Sequence, residues 1–253
     1  MQQQEQTLCA ILDAGELLLT AGAEVARVED TIRRLALAYG FVRADVLTIT
    51  ASMVVTAQTA DHAVLTQTRR ITRRETDMQR IEAVNALSRA VCAAPLPLDE
   101  LRRRLEEIRT MPAGPRWRLP AAYLIVSGSF AVFFGGSWRD GLAAMLCSLV
   151  LYAIDRAGAR LGLQQIVLTV LSAAGMCLAA VASVWLGLGQ GLDYIIIGNI
   201  MLLIPGIALV TSLRDMIVGD TISGLLGACE ALLRALAIAA GCALVLLQFG
   251  GAV

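Results

Sequence analysis

Residues 119–138 read LPAAYLIVSGSFAVFFGGSW, twenty consecutive positions without a charged side chain. A helix of about 20 apolar residues crosses a hydrocarbon core of about 30 Å. The stretch therefore predicts a membrane span, and the character of the chain changes around it. Before it lie Arg116, Arg118 and the linker Met111-Pro-Ala-Gly-Pro115. After it, Arg139-Asp140 makes a turn, and a second uncharged run reaches Asp155-Arg156. That run is short, so a span at 139–155 needs Trp138, Arg139 or Asp155 in the interface, where aromatic anchoring and snorkelling are tolerated. Further spans are expected at 164–187, 194–213 and 223–249, the first of these ending at the loop Gly187-Leu-Gly-Gln-Gly191.

Charge follows the same division. Net charge is zero, yet residues 1–119 hold 16 of the 21 basic and 15 of the 21 acidic side chains. The remaining 134 residues hold five arginines and six acids, and mean hydropathy over the whole chain is +0.68. The expected organisation is a small α+β domain over residues 1–115, followed by an all-α membrane domain of about five helices over 116–253. Every basic residue is Arg. Acids match the arginines almost one for one, so no local positive excess supports nucleic-acid binding. The six cysteines show no CxxC pairing and read as free thiols, with no metal site. The start MQQQEQT has neither a basic region nor an early apolar run, so no cleavable signal peptide is expected.

Within residues 1–115, Leu8, Ile11, Leu12, Leu18 and Leu19 repeat at helical period up to Gly22. A second helix is expected from about Glu24 to Tyr39, with Val25, Val28, Ile32 and Leu35 on one face and Gly40 as its stop. Its other face carries Glu24, Arg27, Glu29, Asp30, Arg33 and Arg34, spaced for weak i,i+3 and i,i+4 ion pairs on a solvated surface. Val, Thr, Ile and Met then nearly alternate from Ala44 to Gln58, predicting two strands, with a third at 63–68 after an Asp61-His62 turn. His62, the single histidine, reads as a surface turn residue. Helical period returns over 75–91, and Asp99 is expected to cap a short charged helix ending near Ile108.

Arginines set the expected orientation. Arg102, Arg103, Arg104, Arg109, Arg116 and Arg118 precede the first span, Arg156 and Arg160 follow the second, and Arg214 follows the fourth. Arg139 alone falls on the other side. The positive-inside bias places the N-terminus in the cytoplasm and, with five spans, the C-terminus outside. An odd span number also makes an inverted half supplied by another chain worth suspecting.

Three places carry candidate chemistry. In the fourth span Pro205 removes a backbone donor and Gly206 weakens the helix further, next to Asn199, Thr211 and Ser212. Interrupted helices hold substrates in secondary transporters, whereas the plain alternative is an ordinary proline kink. Arg214, Asp215 and Asp220 then form either a cytoplasmic gate or an ordinary charged loop. Glu230 and Arg234 lie one turn apart inside the fifth span, where an ionised group costs roughly 2.5–3.5 kcal/mol. They read as a self-neutralising bridge, or as sites for a proton and for a carboxylate. No nucleophile elbow, phosphate loop, dinucleotide fingerprint or zinc spacing occurs, so nothing supports an enzyme or a cofactor.

The run Gly22-Ala-Glu-Val-Ala-Arg-Val-Glu-Asp-Thr-Ile-Arg-Arg34, the run Asn85-Ala-Leu-Ser-Arg89, and Ile204-Pro-Gly, Arg214-Asp, Gly219-Asp, Ser223-Gly and Glu230-Ala in that order resemble the threonine/serine exporter family. The resemblance covers nearly the whole chain. It implies a bacterial inner-membrane protein with a cytoplasmic domain before a bundle of spans, and efflux of a small carboxylate or amino acid. Some members fuse a second, smaller membrane unit at the C-terminus, whereas this sequence stops at Val253. It is thus similar to the larger subunit of the split type associated with succinate export, which implies a small membrane partner subunit. Homo-oligomerisation is the fallback, threonine or serine the alternative substrate. A membrane-anchored sensor or scaffold is the reading from another class. Glu24, Arg27, Glu29, Asp30 and Asn85 carry the soluble-domain part of the resemblance.

Overall fold

The computed structural model describes residues 2–72, 75–112, 114–115 and 117–249. They form α1 (Gln2–Thr20), α2 (Val25–Ala38), β1 (Arg43–Ile49), β2 (Ser52–Gln58), β3 (Val64–Arg70), α3 (Met78–Ala93), α4 (Leu98–Arg109), α5 (Arg118–Phe133), α6 (Trp138–Leu161), α7 (Gln165–Trp185), α8 (Leu192–Leu203), α9 (Gly206–Val218) and α10 (Thr221–Phe249). Contacts group them into two compact units. The first comprises Met1–Pro112 with Ile207–Ala228, the second Ala113–Gly206 with Cys229–Val253.

In the first unit three antiparallel strands lie in the order β1-β2-β3, with Val46 opposite Val55 and Thr56 opposite Thr66. The alternation of β2 sends Met53, Val55 and Ala57 into the core. There they meet Leu8, Ile11 and Leu12 of α1 and the Val28, Ile32 and Leu35 stripe of α2. Burying each large aliphatic side chain contributes roughly 1.5–3 kcal/mol, and packing of one sheet face against α1 and α2 is what holds so small a sheet. Gly15 lets α1 approach α2: a Cβ there would fall 2.5 Å from Ile32 Cδ1. The α2 helix ends where the sequence predicts, at Gly40 with φ +86°. Asp99 is not the cap of α4. Pro97 holds that position, and Asp99 sits in the first turn, where its charge favours the helix dipole.

In the second unit the helices approach one another at glycines. A Cβ on Gly198 of α8 would lie 2.5 Å from the Ser127 carbonyl of α5, and one on Gly241 of α10 would lie 2.5 Å from the Val170 carbonyl of α7. Small residues at crossings are how helices associate where lipid removes the hydrophobic drive. Outward faces are apolar and exposed, with Leu142, Leu146 and Val150 on α6, and Leu232, Leu236 and Leu247 on α10. Among the described residues, α6, α7 and α10 are long and apolar enough to cross a membrane, and α8 with α9 supplies a fourth if that broken pair is one span. The five-span expectation counts α5 as well. Its 16 residues reach about 24 Å, short of a core of about 30 Å. The α6 helix also continues past Asp155 to Leu161, because that carboxylate is hydrogen-bonded within the bundle and does not mark an end.

Candidate functional site

Asn199 stands on α8 and is fully buried. Its Nδ2 donates to the Ile195 carbonyl at 2.9 Å and to the Ala144 carbonyl of α6 at 3.2 Å. The amide orientation follows from that environment, since an oxygen facing two carbonyls would repel both. The same Ala144 oxygen accepts from buried Ser127 Oγ of α5 at 2.9 Å. Asn199 Oδ1 is left buried without a hydrogen-bond partner. An orphaned amide oxygen costs roughly 1–3 kcal/mol unless water or a ligand donates to it.

About one and a half turns further on, α8 stops. Ile204 takes φ −62°, ψ 125°, the extended geometry that a following proline imposes. Pro205 has no N–H to return to the Met201 carbonyl, and the Gly206 N–H bonds Ile204 at 2.8 Å in place of Leu202. The break thus frees helical carbonyls in an apolar bundle, close in sequence to an unsatisfied amide oxygen.

The first unit assembles a second polar group. Arg214 of α9 donates from Nη1 to Glu24 Oε1 at 2.8 Å, at the entrance of α2. Glu29, one turn further along α2, accepts the Thr48 N–H of edge strand β1 at 2.8 Å. The Thr48 carbonyl accepts from buried Ser223 Oγ at the start of α10, at 3.5 Å. Thr48 Oγ1 is buried without a partner. Partial burial raises the proton affinity of Glu29 above the ordinary carboxylate value. The Thr48 N–H opposes that shift, and the nearby Asp220 charge adds to it. Asp215 is buried on α9. Glu24, Glu29, Arg214 and Asp220 therefore belong to one neighbourhood, although the sequence separates them by nearly 200 positions.

Other expected residues lie apart. Asp30 pairs with Arg34 at 2.8 Å on the outer face of α2, where Arg27 is also exposed. Asn85 is half-buried on α3, and its backbone carbonyl accepts from Ser88. Among the described residues Glu230 and Arg234 form no ion pair: Arg234 Nη2 donates to Gln165 Oε1 of α7 at 2.8 Å, and Glu230 is exposed. Same-face spacing on a helix brings such a pair within reach, but the amide of α7 takes the guanidinium instead.

Two polar features escape the sequence reading. Asp140, expected in a simple turn, is buried and accepts four bonds, from Ser137 N–H and Oγ and from the Gln190 and Gly191 N–H groups. It closes a capping box on α6 and fastens the loop before α8. Ser at N-cap with an acid three residues on was the available signal. Asp155 forms the second feature, with Tyr123 and Ser172. Among the described residues no group of three or more His, Cys, Asp or Glu side chains is placed to hold a metal ion.

An α+β unit and a bundle of apolar helices that contains a broken helix and buried polar side chains are the organisation of a polytopic membrane protein. Residues 10–249 match the family described as "Putative threonine/serine exporter", and the chain belongs to that family. Its relatives include the "Probable threonine/serine exporter" of Mycobacterium tuberculosis (strain ATCC 25618 / H37Rv), 27% identical over 228 residues, covering 89% of this chain and 43% of that protein. The "Threonine/serine exporter" of Corynebacterium glutamicum is 25% identical over 236 residues, covering 90% of this chain and 48% of its own length. The chain thus spans less than half the length of these relatives. No solved structure matches.

Proposed function

We propose that this chain is part of an exporter that carries a small hydroxylated amino acid, threonine or serine, out of the bacterial cell. The observation that carries the reading is the family match through the whole bundle, including Asn199 with its unsatisfied oxygen and the break at Pro205-Gly206. An amide acceptor and freed carbonyls suit a substrate that brings ammonium and hydroxyl donors. They suit succinate, a pure acceptor at neutral pH, less well. The names of the relatives favour the amino acid too. Succinate-type export with a small membrane partner subunit is the second reading. Exposed Glu230 on an apolar helix supports a neighbouring chain, whether that subunit or a second copy.

In this reading the residues 1–115 are cytoplasmic, five helices span the membrane with α5 completing the count, and the C-terminus is outside. Asn199, Pro205 and Gly206 line the pathway. Arg214, Asp215 and Asp220 form a cytoplasmic gate, and Glu230 and Arg234 serve the substrate or ion pathway. Relatives named as exporters favour transport over an anchored sensor.

The test is efflux of labelled threonine, serine and succinate from cells that express the chain, with and without its candidate partner. Asn199→Leu, which fills the space without offering an acceptor, is expected to abolish amino-acid efflux while the protein still inserts. Efflux of succinate alone would overturn the choice of substrate.

A further inference from the structure

One face of α6 is exposed along its length, through Leu142, Leu146, Leu149 and Ala153 to Arg156 and Arg160. Their spacing of three or four residues keeps all six on one side of the helix. Trp138, at the start of α6, belongs to an aromatic belt with Phe133, Trp185 and Tyr194, all exposed at one end of this bundle. Such belts mark the level at which helices leave the hydrocarbon. At 1.5 Å per residue, Arg156 lies about 27 Å and Arg160 about 33 Å along α6 from Trp138. A hydrocarbon core of about 30 Å measured from the belt therefore ends between the two arginines. Their guanidiniums reach the headgroup layer of the far leaflet, and the apolar stripe before them faces acyl chains. Among the described residues neither Arg156 nor Arg160 has an ion pair or a side-chain hydrogen bond. Asp155 is their neighbour in sequence, but its oxygens accept from Tyr123 at 2.9 Å and from Ser172. At the same end Arg234 of α10 donates to Gln165 Oε1 at the start of α7, and Arg118 at the start of α5 is exposed.

We propose that Arg156 and Arg160 together bind the phosphate of an anionic phospholipid, with one of its acyl chains laid along Ala153, Leu149 and Leu146. Charge and depth choose this occupant. Two cations one helical turn apart repel each other, and a single phosphate between them removes the repulsion. Each guanidinium offers it a planar fork of donors, which suits phosphate oxygens. From Arg156 to Leu146 the stripe is about 15 Å long, half of the core and thus the depth of one leaflet. A soluble phosphate ester would use the arginines and leave the stripe idle, whereas a phospholipid uses both. A zwitterionic phospholipid brings an ammonium, which meets the arginines as a like charge. Basic side chains at the ends of membrane helices take anionic headgroups on the same grounds. The inference needs the bundle in a bilayer but no particular substrate, so it stands apart from the transport reading.

The experiment reconstitutes the full chain in vesicles of equal parts phosphatidylglycerol and phosphatidylcholine. The protein is then extracted in mild detergent, and native mass spectrometry counts the lipid that stays bound. The wild type is expected to retain phosphatidylglycerol in excess. Arg156→Gln and Arg160→Gln should each lower that preference about fivefold, the change that about 1 kcal/mol per arginine near an anionic surface gives. The double glutamine variant should lose more than tenfold, while Arg156→Lys with Arg160→Lys keeps the charge without the forks and should fall between. Both positions are exposed, so the variants should insert in normal amount, and each single variant reads the same site should the double one fail to insert. Equal retention of the two lipids by the wild type, or an unchanged preference in the glutamine variants, overturns the proposal. Glycerol 3-phosphate has the headgroup chemistry without acyl chains and should not release the lipid. Release by it would assign the arginines to a soluble phosphate ester and overturn the lipid assignment.

Discussion

Arg214 and Glu24, 190 positions apart in sequence, meet at 2.8 Å, the guanidinium arriving from α9 and the carboxylate from the entrance of α2. The pair is unevenly exposed, with the Arg side chain 62% and the Glu side chain 17% accessible. Exposed pairs contribute roughly 0–1 kcal/mol to stability. Its value to the protein is therefore registration: it fixes the α9–α10 turn against α2, beside the contacts that Thr48 makes to Glu29 and Ser223.

Breaking the pair should separate stability from function. Arg214→Ala and Glu24→Ala are each expected to change unfolding free energy by less than about 1 kcal/mol. Each should lower efflux severalfold if the turn gates transport. The exchanged pair Glu24→Arg with Arg214→Glu should recover most of the lost rate. Thermal melts and efflux on the same four proteins check this, and failure of the exchange to rescue would assign the two residues independent roles.

Glu29 should leave a signature in the pH dependence of stability. Its folded proton affinity is raised, by burial first and by the Asp220 charge, so the folded state holds the proton more tightly than the unfolded state. Stability then falls as pH rises from the ordinary value of 4.5 through the folded value. Glu29→Gln keeps an acceptor for the Thr48 N–H and removes the charge. It is expected to flatten that fall and leave the acid limit unchanged, as read from melting temperature against pH in detergent.

Much of this architecture is legible in sequence because its signals are local. The alternation within β1 and within β2 and the stop at Gly40 each act within one element, whereas the twenty uncharged residues before Arg139 divide between α5, a turn and the first residue of α6. Pro205 likewise dictates its own break, through the missing N–H and the extended Ile204. What hides is pairing between elements. Nothing in 214–223 announces Glu24 or Thr48, and Asp155 reads as a helix end until Tyr123 and Ser172 are placed beside it. Arg234 shows the converse error, since Glu230 at i−4 is an apparent partner that tertiary contact with Gln165 supersedes.

Asp140 should prove the most costly single carboxylate to remove. It is 2% exposed and accepts four hydrogen bonds, three of them from backbone N–H groups. Stranding those donors in Asp140→Ala is expected to cost on the order of 3 kcal/mol or more. Asp140→Asn retains one acceptor oxygen and should lose less. Melting temperature and the amount of inserted protein measure the difference, and equal loss in the two variants would show that charge matters here more than hydrogen-bond count.

Gly206 offers the cleanest test of whether the broken helix works in transport. Its φ lies outside the left-handed region, and a Cβ built on it meets nothing within 4 Å. Alanine therefore fits without strain, and at such a compatible backbone the change stabilises by roughly 0.4–1 kcal/mol, chiefly by restricting the unfolded chain. If the break is only a structural kink, Gly206→Ala should raise the melting temperature and leave efflux unchanged. If the segment from Ile204 to Gly206 changes conformation to admit substrate, the same substitution stiffens it, and efflux should fall while stability rises. Pro205→Ala acts in the other direction on the backbone. It restores an N–H that can return to Met201, so the chain can continue as helix and cover a carbonyl that substrate or water would otherwise meet. Loss of efflux in both variants, with inserted protein undiminished, is the expected outcome. Normal efflux from the double variant would remove Pro205 and Gly206 from the pathway and leave the buried amide of Asn199 to carry the substrate reading without them.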